Sequence, residues 1–460
     1  MSLTARVNIH ELAAPSFVQL RNERCFEPRF SEVFLMKRAY VSLAFFLLLA
    51  AVSAWTQSGD DNQQNTPPPV SAQWFAMHFI SPMDPWPTQE GIEFSSWRSV
   101  SAGIQWSKIN TAEGVYDWTY FDRWVSLLEQ NQQTILYTVY STPTWASSCP
   151  SCSCNKGNAV PGSCYPPDDL NSGGTGSDKH LKDFVSALMQ HVGPGKIQTL
   201  EVWNEPNNPQ EWGGTTQQLV SMTRDIRTTA LSYDPKIKIS SPAETGDSKD
   251  GIKMLWLADY LADGGGQYVD IIGLHGYVLN PEDIITRVSS TVTDMQQYNQ
   301  TGKPIWITEG SWCCQSAPIP ANQQPGFSFR LVLDMLSTKA SRFYLYAFDN
   351  VLEGNLWDQT SQKPTPNATA YKLYYDWLVG STMTQPCQAQ STNSPIWSCA
   401  FTKPGGYQAE AIWNTSLSLG HTQNVTVADQ YVEYTDVYGH VYQIQNHKVP
   451  IGYNPIWLEN

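Results

Sequence analysis

Between Gln73 and about Leu378 the chain repeats one pattern: a short apolar run rich in β-branched and aromatic residues, then a stretch with helical periodicity. Eight such runs can be placed, at Trp74–Phe79, Ser99–Ile104, Thr134–Tyr140, Gln198–Trp203, Ile237–Ser241, Val269–His275, Pro304–Thr308 and Phe343–Phe348. Strands that alternate with helices pair in parallel. Eight units over roughly 300 residues suit an α/β fold of the (β/α)8 TIM-barrel type. An open, doubly wound sheet competes, but no Gly-rich phosphate loop follows the first run.

The helical stretches carry one apolar face each. Leu181, Phe184, Val185, Leu188, Met189 and Val192 recur at i, i+3, i+4, i+7, i+8 and i+11. Trp118, Phe121, Trp124, Val125 and Leu128 do the same, with Asp117 as the expected N-cap. After Leu378 the texture changes to short alternating runs at Trp397–Thr402, Gln408–Trp413, Asn424–Val427, Tyr431–Tyr438 and Val441–Gln445. They predict a small C-terminal β-sandwich-like domain packed on the barrel.

The N-terminal region reads as an export signal. Lys37 and Arg38 precede an apolar stretch, Tyr40 to Val52, and small residues follow at Ala51-Val52-Ser53-Ala54. That stretch is shorter than the ~20 residues a spanning helix needs. Met36 stands where such a signal should begin. The expected organisation is a non-native upstream extension over 1–35, a signal over 36–54, a Pro-containing linker over 55–72, the barrel over 73–380 and the β-domain over 381–460. An uncleaved membrane anchor is the alternative. With cleavage, no stable membrane span remains and the protein is secreted, extracellular or periplasmic.

Cysteine usage agrees with export. Cys25 falls in the extension, leaving Cys149, Cys152, Cys154, Cys164, Cys313, Cys314, Cys387 and Cys399. An even set in an exported chain implies disulfides. Cys387 and Cys399 flank a loop and are expected to pair. The cluster from Cys149 to Cys164 has some of the density of a zinc site, but export favours oxidised thiols. Cys313 and Cys314 either bridge each other or each reach the 146–177 loop. The net charge of −14 argues against nucleic acid or an anionic membrane as partner, since either would need a basic face. Charged residues are only 15% of the chain while Trp numbers 18, a balance that suits stacking on sugar rings. Nothing in the sequence sets an oligomeric state.

Active sites of such barrels lie at the C-terminal strand ends. Two strand ends carry a glutamate: Trp203-Asn204-Glu205-Pro206 on the fourth and Thr308-Glu309-Gly310 on the seventh. Two carboxyl groups held across a barrel mouth can cleave a glycosidic bond, one protonating the leaving oxygen and the other attacking the anomeric carbon. Glu201 shares the fourth strand and is expected to be a structural carboxylate. This chemistry needs neither a cofactor nor a metal.

Trp203-Asn204-Glu205-Pro206 resembles the acid/base signature of clan GH-A glycoside hydrolases, and Thr308-Glu309-Gly310 resembles that clan's nucleophile strand. His275-Gly276-Tyr277 is similar to the His-x-Tyr of family 39, and Arg98 precedes Trp106-Ser107-Lys108-Ile109 and Gly114-Val115-Tyr116-Asp117-Trp118 as in that family. The resemblance implies a retaining glycosidase acting on a β-linked oligo- or polysaccharide. It implies Glu205 as acid/base, Glu309 as nucleophile, Asn204 at the sugar 2-hydroxyl, and His275, Tyr277 and Arg98 around the nucleophile. Trp145, Trp312 and His78 are further expected sugar contacts. One departure stands out: the eighth strand ends Tyr346-Ala347-Phe348-Asp349, where the clan usually carries a Trp beneath the sugar. Phe348 or Trp357 is left to fill that place. A transglycosylase using the same glutamates, or a polysaccharide-binding protein without turnover, would share these features.

Overall fold

The computed structural model describes residues 67–83, 85–154, 160–246, 256–312 and 319–460. The expected extension and signal, Cys25, Cys313 and Cys314 lie outside the described residues. Eight parallel strands form the central sheet: β1 Phe75–His78, β2 Ser96–Arg98, β3 Thr134–Val139, β4 Ile197–Val202, β5 Lys238–Ser240, β6 Ile272–His275, β7 Ile305–Gly310 and β8 Ala340–Leu345. Their order is β5-β4-β3-β2-β1-β8-β7-β6. Parallel bridges at Ser240–Ile271 and Glu244–Leu274 join the β5 and β6 sides, so the sheet curls into a barrel.

Among the described residues seven helices of two turns or so and longer surround it: α1 Thr119–Gln130, α2 Lys179–Val192, α3 Thr216–Tyr233, α4 Trp256–Ala262, α5 Asp283–Gln297, α6 Gln324–Leu336 and α7 Pro366–Leu378. Between β1 and β2 a short 3₁₀ turn, Pro87–Glu90, stands in for a helix. The expected apolar face of α2 is buried through Leu181, Phe184, Val185, Leu188 and Met189. In α1 the cap position is Trp118, not Asp117. Asp117 still serves the helix end, because its Oδ1 accepts from the Thr119 amide at 3.0 Å.

Three strand expectations shift, one of them the sixth strand, which begins at Ile272 and not at Val269. Ser99–Ile104 is a turn and loop, and β2 lies just before it. Ser101 and Gly103 take φ of 60° and 76°, which no strand accommodates, although Ala102 and Ile104 are buried. The eighth strand begins three residues earlier than expected, at Ala340.

After α7 come β9 Thr382–Ala389, β10 Ile396–Lys403, β11 Tyr407–Asn414, β12 Gln423–Thr426, β13 Glu433–Thr435, β14 Val441–Gln443, β15 Lys448–Ile451 and β16 Ile456–Glu459. Six make an antiparallel sheet in the order β9-β10-β11-β16-β13-β14, and β12 pairs with β15. Val449, Ile451, Ile412 and Leu458 form a small core within this domain. Trp457 fastens it to the barrel helices, stacking on Trp377 at 5.3 Å and packing against Phe329. Cys387 and Cys399 are bonded across β9 and β10, and Cys149–Cys152 and Cys154–Cys164 are bonded in the loop after β3. Val70, inside the expected linker, exchanges backbone hydrogen bonds with residues 380 and 381.

Candidate active site

The barrel interior is layered by strand parity. Ala76, Leu136 and Tyr344 pack together with Trp306 on the axis. One step toward the C-terminal strand ends the lining becomes charged. Arg98, on the same face of β2 as Ser96, has no exposed surface. Its Nε donates to Glu201 Oε2 at 2.7 Å, its Nη2 to Asn204 Oδ1 at 3.0 Å, and its Nη1 to Glu309 Oε1. Burial disfavours the guanidinium charge, but Glu201 and Glu309 outweigh that and hold its pKa above the usual arginine value. Glu201 also accepts from Thr138 Oγ1 at 2.8 Å, the structural role expected of it.

Glu309 reaches this layer through a bulge. From Trp306 on the axis, strict alternation would turn Thr308 inward and Glu309 outward. The ladder between β6 and β7 instead pairs Leu274 with Ile307 and His275 with Glu309, leaving Thr308 as an extra residue. The slip flips the side-chain parity and aims Glu309 at the mouth. Its Oε2 accepts from Tyr277 Oη at 2.8 Å.

Glu205 arrives by a different distortion. Past β4 the backbone takes φ of 62° at Trp203 and 44° at Glu205, a left-handed region costly for side chains of this size. The Glu205 amide is held by Ala243 O at 3.0 Å. Burial pushes the Glu205 carboxyl above its ordinary range, while a Thr245 hydrogen bond and the charges of Arg98 and Arg287 pull the other way. His275 lies between the two glutamates, with Nδ1 2.9 Å from Glu205 Oε1 and 3.4 Å from Glu309 Oε2. Burial, offset in part by Glu309, lowers its pKa to about 4. The ring is therefore neutral at pH 7. Arg287 fixes the end of β6 by donating to His275 O at 2.6 Å and Glu244 O at 3.1 Å.

One oxygen from each glutamate and one His275 nitrogen lie within 4.8 Å of one another. Such a trio has the spacing of a metal site. Both Glu309 oxygens already have donors, however, and the buried Arg98 cation sits on one of them. The donor set suits a negative centre held by protons better than a second cation.

The other expected residues divide. Trp145 is partly exposed, donating from Nε1 to Asn110 O at 3.0 Å and meeting His180 edge-on. Trp312 is 1% exposed, packed against Phe327, with Nε1 turned to Leu352 O. His78 is fully buried; its Nε2 contacts Val100 O at 2.6 Å and its ring meets Tyr346 edge-on at 4.5 Å. Phe348 and Trp357 stack on each other in the core, and neither reaches the mouth. Tyr346, one residue past the end of β8, stays partly exposed and lies 6.0 Å from the Tyr277 ring. Glu353, in the loop after β8, is a further acid at the mouth. Burial first, then Glu309 and Glu205, pushes its pKa up to about 7.

Residues 173–343, which contain both glutamates, match the family model of the glycosyl hydrolase catalytic core. The chain is an enzyme of the glycosyl hydrolase class. Its fold is shared with a family 39 glycoside hydrolase from Bacteroides cellulosilyticus WH2, at TM-score 0.61 and 15% identity over 85% of this chain and 81% of that one. A glucosidase from Croceicoccus marinus is similar at TM-score 0.59 and 11% identity, over 86% and 97% of the two chains. A monomeric β-xylosidase from Caulobacter crescentus CB15 is similar at TM-score 0.54 and 13% identity, over 86% and 97%. These likenesses show a shared fold, the (β/α)8 barrel that the alternation of strands and helices led one to expect. No curated protein matches in sequence. Among the described residues no helix is long and apolar enough to cross a membrane.

Proposed function

We propose that the chain is a retaining glycoside hydrolase that cleaves a β-linked oligo- or polysaccharide by double displacement, with Glu309 as nucleophile and Glu205 as acid/base. The observation that carries this reading is the closeness of the two carboxylates, whose nearest oxygens lie within 4.8 Å. Retaining enzymes hold their carboxyl groups about 5–5.5 Å apart, whereas inverting ones need about 6.5–9.5 Å to admit a water.

In the first step Glu309 attacks the anomeric carbon and the glycosidic bond breaks. The departing oxygen takes the Glu205 proton, which its buried setting favours. In the second step Glu205 removes a proton from water, the water attacks the same carbon, and the bond to Glu309 breaks. Arg98 and Tyr277 keep Glu309 ionised and aimed. Neutral His275 orients Glu205 by a hydrogen bond without adding a competing positive charge. Asn204, anchored through Oδ1 by Arg98, has its amide nitrogen left to meet a sugar hydroxyl. Tyr346 offers the aromatic surface beneath the reacting sugar, and Trp145 a wall farther out. His78 and Trp312 support these groups from within the core. The three disulfides of the described residues favour an exported protein.

The test is a screen of aryl β-glycosides and of plant and microbial polysaccharides, run with wild type and Glu309→Ala, with product stereochemistry followed by NMR. The expected result is a β-product formed first and a loss of about 10⁴-fold or more in the variant. Equal cleavage by the two proteins, or an α-product formed first, would overturn the reading.

A further inference from the structure

The terminal β-domain carries a cleft of about 230 Å³ that the chemistry above does not use. Its lining includes His421, Tyr434, Asp436, Tyr438, Tyr442 and Asn454. Tyr434 and Tyr442 are directly paired across β13 and β14, so their side chains leave the same face of the sheet. Their rings stack at 5.0 Å with 19° between planes. Tyr442 is 44% exposed and Tyr438 37% exposed.

Tyrosines also seal the joint between β-domain and barrel, and part of the cleft is explained in that way. Tyr438 Oη donates to Asn322 O at 3.1 Å, and Tyr453 is hydrogen-bonded to Gln323. Tyr434 and Tyr442 are not explained so, because their ring partners are each other and His440. Asp436 is engaged by the turn that follows it, accepting from the Tyr438 and His440 amides at 2.9 and 3.0 Å. The His421 side chain has no protein hydrogen-bond partner among the described residues. The site thus joins a stacked tyrosine pair, with Tyr442 exposed and Tyr434 half-buried against the domain core, to the His421 side chain and little net charge. A sugar ring matches that combination, with an apolar face to stack and an edge of hydroxyls to bond.

Position supports the same ligand. Asn322 and Gln323 immediately precede α6, and a helix that follows a barrel strand begins at the face where that strand ends. β7 ends at Gly310, beside Glu309. The tyrosines at the joint therefore set the cleft against the rim of the same barrel face that holds the two glutamates.

We propose that this cleft is a second glycan-binding site, which grips a neutral segment of a polymeric substrate while another part of it lies over the barrel. The proposal rests on the glycosidase reading above. Binding is measured by affinity electrophoresis in gels containing glucuronoxylan, xyloglucan or mixed-linkage β-glucan, with Glu309→Gln to prevent digestion. Adding Tyr442→Ala or His421→Ala is expected to weaken retardation at least fivefold in the polymer that retards the parent. Adding Tyr233→Ala, which removes a comparably exposed tyrosine from α3, should leave it unchanged. Thermal melting verifies that each protein is folded. Retardation unaffected by Tyr442→Ala and His421→Ala, or absent for the parent in all three gels, overturns the proposal. The glycosidase reading fails separately, if wild-type enzyme turns over no aryl glycoside.

Discussion

Arg98 donates through Nη1 to Glu309 from a side chain with no exposed surface. The same guanidinium also neutralises Glu201, which is buried as well. Replacing it with Met would leave two acids without a cation inside the barrel. The expected cost is about 3–5 kcal/mol of stability, the usual effect of removing one partner from a buried pair. Urea unfolding of Arg98→Met beside the wild type measures it. Activity should fall further than unfolding explains, because Glu309 and Asn204 lose the same anchor. Arg98→Met with wild-type stability would show that the cluster is not what holds the mouth.

The Thr245 hydroxyl stabilises the ionised form of Glu205 and so lowers its pKa against the effect of burial. In the proposed mechanism Glu205 must enter the first step protonated. Its ionisation then sets the basic limb of kcat/KM against pH. Thr245→Val removes the hydrogen bond, so the Glu205 pKa rises and the basic limb moves to higher pH. A shift of about half to one unit is expected from a lost hydrogen bond of about 1 kcal/mol. A basic limb that moves to lower pH, or stays in place, would assign that limb to another group.

The barrel and both strand-end glutamates were legible in the chain because they rest on local signals. Runs of apolar residues alternate in period, and Asn204-Glu205-Pro206 and Thr308-Glu309-Gly310 each stop a strand. What could not be read depends on partners distant in sequence. Ser99–Ile104 has the composition of a strand, yet two positive φ values make it a loop whose apolar residues are buried by tertiary packing. Strict alternation along β7 would have pointed Glu309 outward, and the Thr308 bulge shows only once β6 lies beside it. Tyr346 was within reach. Counting by twos from Arg342 through Tyr344 carries it inward one residue past the strand end, whereas Phe348, two residues further on, has left that register and turns into the core. The polar strand Thr382–Ala389 gave no apolar pattern, since it is held largely by pairing with β10 and by Cys387–Cys399.

Tyr346 stands against His78 and Tyr277 with part of its ring open to the mouth. If it carries the sugar, the aromatic face matters and the hydroxyl matters little. Tyr346→Phe should keep kcat/KM on an aryl β-glycoside within about threefold, and Tyr346→Ala should lower it about 100-fold, or roughly 2.7 kcal/mol of transition-state stabilisation. Steady-state kinetics of the two variants separate the cases. A large loss in Tyr346→Phe would mean that the hydroxyl, not the ring face, is the working part.

Asp178 precedes α2 with φ of 46° and no exposed surface. Burial, then the charges of Asp225 and Asp169, raises its pKa to about 8. Above pH ~4 the unfolded chain releases this proton while the folded protein keeps it. Stability from this group is therefore full in acid and is lost progressively as pH rises from about 4 towards 8. Asn carries no proton to lose, can donate to Asp225, and tolerates the left-handed backbone better than most residues. Asp178→Asn should raise Tm by several degrees at pH 8 and by less at pH 4, with activity retained, since the residue touches neither glutamate. Differential scanning calorimetry at the two pH values checks both size and sign. A larger gain at pH 4 than at pH 8 would mean that the wild-type carboxyl is already ionised in the folded protein and that its burial is compensated by groups other than a retained proton.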